Sequence, residues 1–237
     1  SYSPMSHPKF EELKQRLYEI QDINTAASVL SWDQETYMPP GGAKARGQQM
    51  STLRRIAHQR FTSEEMGALL EELRPSAAQW PYDSDEASLV RVAWDQYEKA
   101  VKVPADLVAE LTLAASAGHT VWAQARKASN FEMFRPALEK LVELRRRWVE
   151  CFAPYEHVYD PLLDRAEPGL KTVELQALFD ELKRETVPLI HAIAAKGNVI
   201  DDSFLHRDYP QDKQWEFGLR IAKTFGYDLE RGRQDTS

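Results

Sequence analysis

Trp32-Asp33-Gln34-Glu35-Thr36-Tyr37-Met38-Pro39-Pro40-Gly41-Gly42-Ala43-Lys44-Ala45-Arg46 interrupts a chain that is otherwise one helical pattern after another. Pro39 and Pro40 remove backbone donors and push the residues before them away from helix. Gly41 and Gly42 permit the tight or left-handed geometry of a chain reversal. One helix therefore ends between Glu35 and Met38, and a second begins beyond the glycines. Two carboxylates, an amide and a hydroxyl sit at this reversal, more polar chemistry than a plain connector needs.

Upstream, Phe10, Leu13, Leu17, Ile20, Ile23, Ala27 and Leu30 recur at steps of three and four, one apolar stripe starting near Ser6 and Pro8. Downstream, the spacing predicts a second helix over 43–60 with Met50, Leu53, Ile56 and Ala57 inward. Thr62, with Glu65 three residues later, has the spacing of a capping box and opens a third helix through Leu73. Residues 74–83 read as a loop around Pro75 and Pro81.

A fourth helix spans about 84–101. A fifth runs from Pro104 to about Ser129 on Leu107, Leu111, Ala115, Trp122 and Ala125. Asn130 caps a sixth, whose stripe is Phe134, Leu138, Leu141, Val142, Trp148 and Phe152. Residues 151–171, with Pro154, Pro161, Pro168 and Gly169, form the longest interruption. Thr172 caps a seventh helix that Pro188 should bend and Gly197 ends. An eighth spans 210–225 and closes at Gly226, with Asn198 to Leu205 as a short extended piece before it. The expected fold is all-α, about eight mostly antiparallel helices, with 1–237 as one unit and no linker.

Composition narrows function by exclusion. A net charge of -7 argues against sequence-independent nucleic-acid binding, which needs a basic face. Arg145, Arg146 and Arg147 point three ways on a helix and read as a solvated face. Cys151 is the single cysteine, so no intrachain disulfide forms, and Val149 and Phe152 beside it suggest a buried thiol. With no apolar run of membrane-spanning length and no signal-like start, a soluble cytoplasmic protein without membrane or nucleic-acid partners is expected.

Local catalytic templates are missing. His7, His58, His119, His157, His191 and His206 include no pair four residues apart, so the His-Glu-x-x-His arrangement that sets two imidazoles on one helical face is absent. Asp160, Asp164 and Glu167 have Pro161, Leu162 and Leu163 where a calcium loop needs oxygen ligands, and read as a structural connector. His119 and His191 read as packed or solvated histidines before ligands. Gly41-Gly42-Ala43-Lys44 lacks the Gly-Lys-Ser/Thr ending of a phosphate loop.

Trp-Asp-Gln-Glu-Thr followed by Met-Pro-Pro, a small-residue turn and Arg46 resembles the N-terminal signature of the M32 metallocarboxypeptidases, the carboxypeptidase Taq family. Two further stretches match in order. They are Tyr159-Asp160-Pro161-Leu162-Leu163-Asp164 with Glu167-Pro168-Gly169, and Trp215-Glu216-Phe217-Gly218 with Phe225-Gly226-Tyr227-Asp228 and Gly232-Arg233-Gln234-Asp235.

The resemblance covers about Phe10 to Ser237. It implies the helical wall of a zincin-like peptidase groove with the catalytic half absent, zinc and a peptide substrate in the complete enzyme, and a homodimer. It carries over no catalytic and no metal-binding residue. The carried signature is Trp32, Asp33, Gln34, Glu35, Thr36, Pro39, Pro40, Gly41 and Arg46, with Trp32, Asp33, Gln34, Glu35, Thr36 and Arg46 as candidate groove-facing residues.

Asp33 and Glu35 either face that groove as cation-binding acids or serve the turn by pairing with Lys44 or Arg46; the second reading needs no ligand. The polar 231–237 end shows no docking residues and suggests a fragment awaiting its other half. A free-standing, catalytically inactive helical interaction protein is the alternative. A fragment should expose an extended apolar face, and an independent protein should not.

Overall fold

The computed structural model describes residues 8–197 and 200–236. Among these there is no strand. The helices are α1 (Pro8–Thr36), α2 (Ala43–Phe61), α3 (Glu64–Ala77), α4 (Asp85–Ala100), α5 (Ala105–Lys127), α6 (Phe131–Glu150), α7 (Asp160–Ala166), α8 (Thr172–Ala195) and α9 (Gln211–Thr224). Short 3₁₀ turns occupy Pro40–Gly42 and Ser203–His206. The all-α expectation holds. The extended piece expected at 198–205 is instead irregular over 200–202 and then the 3₁₀ turn; Asn198 and Val199 lie outside the described residues. No described helix is long and apolar enough to cross a membrane.

The chain groups into two compact units, one ending at Pro161 and one beginning at Leu162, although the sequence shows no linker there. In the first unit, α2 packs on both α1 and α5, α5 on α6, and α3 on α4 and α1. Its larger core joins Leu13 and Ile20 of α1, Ala57 of α2, Met66, Leu70 and Leu73 of α3 and Val90 of α4. Phe10 meets the edge of Trp80 at 5.7 Å and Phe61 that of Tyr97 at 6.3 Å, closing the rim with the edge-on geometry that aromatic rings favour. A smaller core brings Val103 and Leu107 against Leu144, with Trp148 and Phe152 packed around them.

Several local readings change. Ser63, not Thr62, caps α3, accepting from Met66 N–H at 3.2 Å; Thr62 closes α2 instead, its N–H and hydroxyl both donating to the His58 carbonyl. α3 continues past Pro75 to Ala77. The bond that Pro75 forgoes falls on the solvent side at exposed Glu71, while buried Ala77 prolongs the apolar stripe. Residues 151–171 are not all loop, because Asp160 starts α7, its carboxylate accepting from His157 N–H at 3.2 Å. Asp164 accepts from Gly169 N–H at 2.9 Å. Both carboxylates thus bond to backbone.

Lys171 rather than Thr172 is the capping position of α8, and the Glu174 carboxylate accepts from its N–H at 3.1 Å. Asn130 caps α6 as expected, and Gly197 and Gly226 have the positive φ that ends α8 and α9. Cys151 is half-buried, not buried, its thiol directed at the Arg147 carbonyl. Residues 231–236 do dock: the Gln234 amide lies against Gly218 of α9, where a Cβ would come within 3.0 Å.

The inner faces of α5 and α6 differ most from the periodic reading. On α5, Ala115 and Trp122 are exposed, and the buried positions include Ser116 and Gly118. On α6, Leu138 and Val142 are exposed, while Leu144 and Val149 are buried. α5 has a neighbour on two sides, and beyond Leu107 its closest approaches are at small residues that let backbones draw near. A Cβ on Gly47 of α2 would sit 3.1 Å from the Ser116 hydroxyl, and one on Gly118 would sit 3.3 Å from Leu141 of α6. Glu110 of α5 receives Arg147 of α6 at 2.8 Å and Lys140 at 3.4 Å.

The seam between α2 and α5 is polar along its length. Beyond Gly47, the Ser51 hydroxyl donates to the Ala109 carbonyl at 2.9 Å, and His58 Nε2 lies 2.7 Å from the Val103 carbonyl. A carbonyl only accepts, so Nε2 carries the proton in that bond. Burial lowers His58 below its ordinary value of 6.5, with the Val103 bond opposing in part. The folded protein therefore takes up this proton less readily than the unfolded chain. The associated stability is present in full above about pH 6.5 and falls as the pH drops from there toward the folded value.

Two outcomes follow for denaturant unfolding. Gly47→Ala should lower stability by about 1–3 kcal/mol through overpacking at Ser116 and Leu113. His58→Gln should flatten the decline in midpoint between pH 7.5 and pH 5.5; an unchanged slope would show that burial of this imidazole has no part in it.

Candidate functional site

The reversal after α1 is built from the signature residues themselves. The last turn of α1 closes with the Asp33 carbonyl accepting from Tyr37 N–H at 3.1 Å and Met38 N–H at 2.8 Å, and with Thr36 Oγ1 donating to the Trp32 carbonyl at 2.9 Å. Gly42 N–H then donates to the Pro39 carbonyl at 2.8 Å. The Met38 side chain lies over Gly42, where a Cβ would come within 3.2 Å of it.

Arg46, one turn into α2, reaches back across the reversal. Its Nη1 donates to the Asp33 carboxylate at 2.6 Å and to the Leu30 carbonyl at 2.9 Å. The two side chains are only 17% and 30% exposed, so this pair is screened less than a surface one. α1 has no basic residue in its own last turn, and Arg46 supplies a cation at the negative end of that helix from the next one. Arg54 to Asn24 and Arg60 to Glu19, each at 2.6 Å, continue the α1–α2 register.

Gln34 faces the other way, toward α5. Its Nε2 donates to the Ser116 carbonyl at 3.2 Å while Ser116 Oγ donates to its Oε1 at 2.9 Å. Ser116 is 7% exposed and also lies against Gly47, so one small polar residue joins α1, α2 and α5. Nothing in the α5 pattern marked Ser116; the available clue was Gly47 in a helix otherwise free of glycine.

Trp32, Glu35 and Tyr37 remain outward. Trp32 and Tyr37 meet edge to face at 5.7 Å, 37% and 58% exposed. The six candidate residues thus divide: Asp33, Gln34, Thr36 and Arg46 bond within the protein, and Trp32 and Glu35 present exposed side chains. Lys44, the other proposed partner for the acids, is also exposed.

Elsewhere, His119 tilts over Trp122 at 5.6 Å, and Arg126 lies 5.8 Å from the same ring, a stack along one face of α5. An open cleft of about 450 Å³ is bordered by Arg16, Glu19, Arg60 and Glu65, charges of both signs, with Arg60 already paired to Glu19. Among the described residues, no group of three or more His, Cys, Asp or Glu is placed to hold a metal ion.

Residues 12–237 match the model of the carboxypeptidase Taq (M32) metallopeptidases. The chain belongs to the M32 family. It is 36% identical to thermostable carboxypeptidase 1 of Thermus thermophilus, with 95% of this chain aligned to 47% of that protein. To carboxypeptidase 1 of Bacillus subtilis it is 32% identical, with 97% aligned to 45%.

Among solved M32-like structures, BsuCP superposes with a TM-score of 0.89 at 32% identity, over 97% of this chain and 46% of the other. The M32 carboxypeptidase of Deinococcus radiodurans R1 gives 0.74 at 32%, over 97% and 45%. The chain spans about half the length of the M32 relatives it matches.

Arg46→Ala should destabilise the protein by about 2–3 kcal/mol, since it leaves a half-buried carboxylate without its cation. Arg46→Lys should recover only part, because both bonds come from Nη1 at the far end of the longer arginine, and the lysine ammonium lies nearer its own backbone. Equal denaturation midpoints for the two variants would contradict this role for the guanidinium.

Proposed function

We propose that this chain is the N-terminal helical region of a zinc-dependent carboxypeptidase that removes C-terminal amino acids from peptides. The observation that carries the reading is the M32 match over residues 12–237, shared with carboxypeptidases that are about twice as long. On this reading, zinc supplies Lewis-acid activation of the scissile carbonyl in the complete enzyme. Its ligands and the general base lie outside this sequence. The present residues contribute one wall of the peptide groove.

Within that wall, Asp33, Gln34, Thr36 and Arg46 act as positioning residues. They hold the α1–α2 reversal rigid, so that exposed Trp32 and Glu35 are presented to the groove at a fixed place. The complete protein is proposed to be a homodimer in the cytoplasm, a setting compatible with the single cysteine, Cys151, of this sequence.

The test is release of the C-terminal residue from an N-terminally blocked peptide. Protein purified from its native source should show this activity, lose it to a chelator and regain it with zinc. The pure 237-residue chain should release nothing. An inert, zinc-insensitive native protein would favour a helical interaction protein instead, and zinc-dependent hydrolysis by the 237-residue chain would place the machinery inside it.

A further inference from the structure

The second unit lacks what the first has. Among the described residues from Leu162 onward, no apolar residue is buried, and α8 and α9 contribute no residue to a core. Yet α8 is among the most apolar helices of the chain. Its first half is amphipathic, with Leu178, Phe179 and Leu182 exposed by 59%, 53% and 56%. Its second half, Val187-Pro188-Leu189-Ile190-His191-Ala192-Ile193-Ala194-Ala195, has a single polar side chain, and Leu189, Ile190 and Ile193 are each about 60% exposed.

An amphipathic segment needs a partner on one side. A segment that is apolar all round needs one on every side. A unit of this size without a core has no internal source of stability to hold α8 in water. Its backbone path is nonetheless that of solved M32 structures, since the superpositions cover 97% of this chain. Those proteins carry more than half their length beyond the matched part.

We infer that α8 is an interior helix of the complete protein, sheathed along Val187–Ala195 by apolar helix faces from the half of the M32 fold that this sequence does not include. This rests on the carboxypeptidase-fragment reading and names the surface by which the fragment joins its other half. α8 is then the central element of an intramolecular interface. Its polar edge, Asp180, Lys183 and Arg184, marks where that sheath gives way to solvent in the amphipathic first half.

The test is radical footprinting of Leu178, Leu182, Leu189, Ile190 and Ile193, with intact mass measured on the same samples. The native-source protein is compared with the 237-residue chain at a concentration where light scattering shows a monomer. The expected result is a native mass well above the 27.2 kDa of this sequence and at least five-fold less labelling of these residues in the native protein. A native mass near 27.2 kDa would remove the fragment reading itself, and the inference with it.

A larger mass with equal labelling in both samples would overturn the inference alone. So would protection already present in the monomeric 237-residue chain, which would mean that its own first unit covers α8. Protection in that chain appearing only as it dimerises at higher concentration would assign the face to a second copy. An Ile190→Asp variant of the 237-residue chain provides a control, since its α1–α6 unit should keep the same unfolding midpoint.

Discussion

The bond from Arg46 back to Asp33 and Leu30 is the constraint on which the first unit depends. A helix hairpin needs its reversal in the right place and its two arms in register. Pro39, Pro40 and the glycines settle the place, but they leave α2 free to rotate about its own axis. Anchoring a residue one turn into α2 to the last turns of α1 removes that freedom. With the rotation set, Gly47, Ser51 and His58 come to lie along the seam toward α5, while Met50 and Ala57 are buried as well.

Small and polar groups, rather than large apolar ones, decide how closely the helices of this layer approach. Ser116 is the clearest case. It occupies the space that a side chain at Gly47 would fill and exchanges two bonds with Gln34, so three helices meet at one hydroxyl. Buried polar groups are tolerated where they find partners, and here the Gln34 amide donates to the Ser116 carbonyl while its oxygen accepts from the Ser116 hydroxyl. The signature thus looks chemical in sequence because it is rich in functional groups. In the structure, Asp33, Gln34 and Arg46 hold helices together, and Thr36 closes the last turn of its own helix.

The two units show opposite balances of apolar burial. The first gathers Leu13, Ile20, Leu70, Leu73, Leu107 and Leu144 into two clusters. The second exposes such residues on α8 and α9. On the proposed reading, this asymmetry is that of a piece of a larger core. Among the described residues, the most continuous exposed apolar face lies on α8.

By itself the sequence determined the helical class, the reversal at Pro39–Gly42, the apolar stripe of α1 and the family, because each rests on local spacing or on an ordered set of motifs. The turn chemistry of Asn130, Gly197 and Gly226 was legible for the same reason. Only the tertiary structure decided which face of α5 and α6 is buried, since Ser116 and Gly118 carry no hydrophobic signal. Their burial follows from having a helix on either side. It likewise decided that Arg46, not Lys44, answers Asp33, and that Ser63 takes the cap from Thr62. Those choices turn on distances across the reversal and on the angle at which one helix leaves another, and no pattern along the chain encodes them.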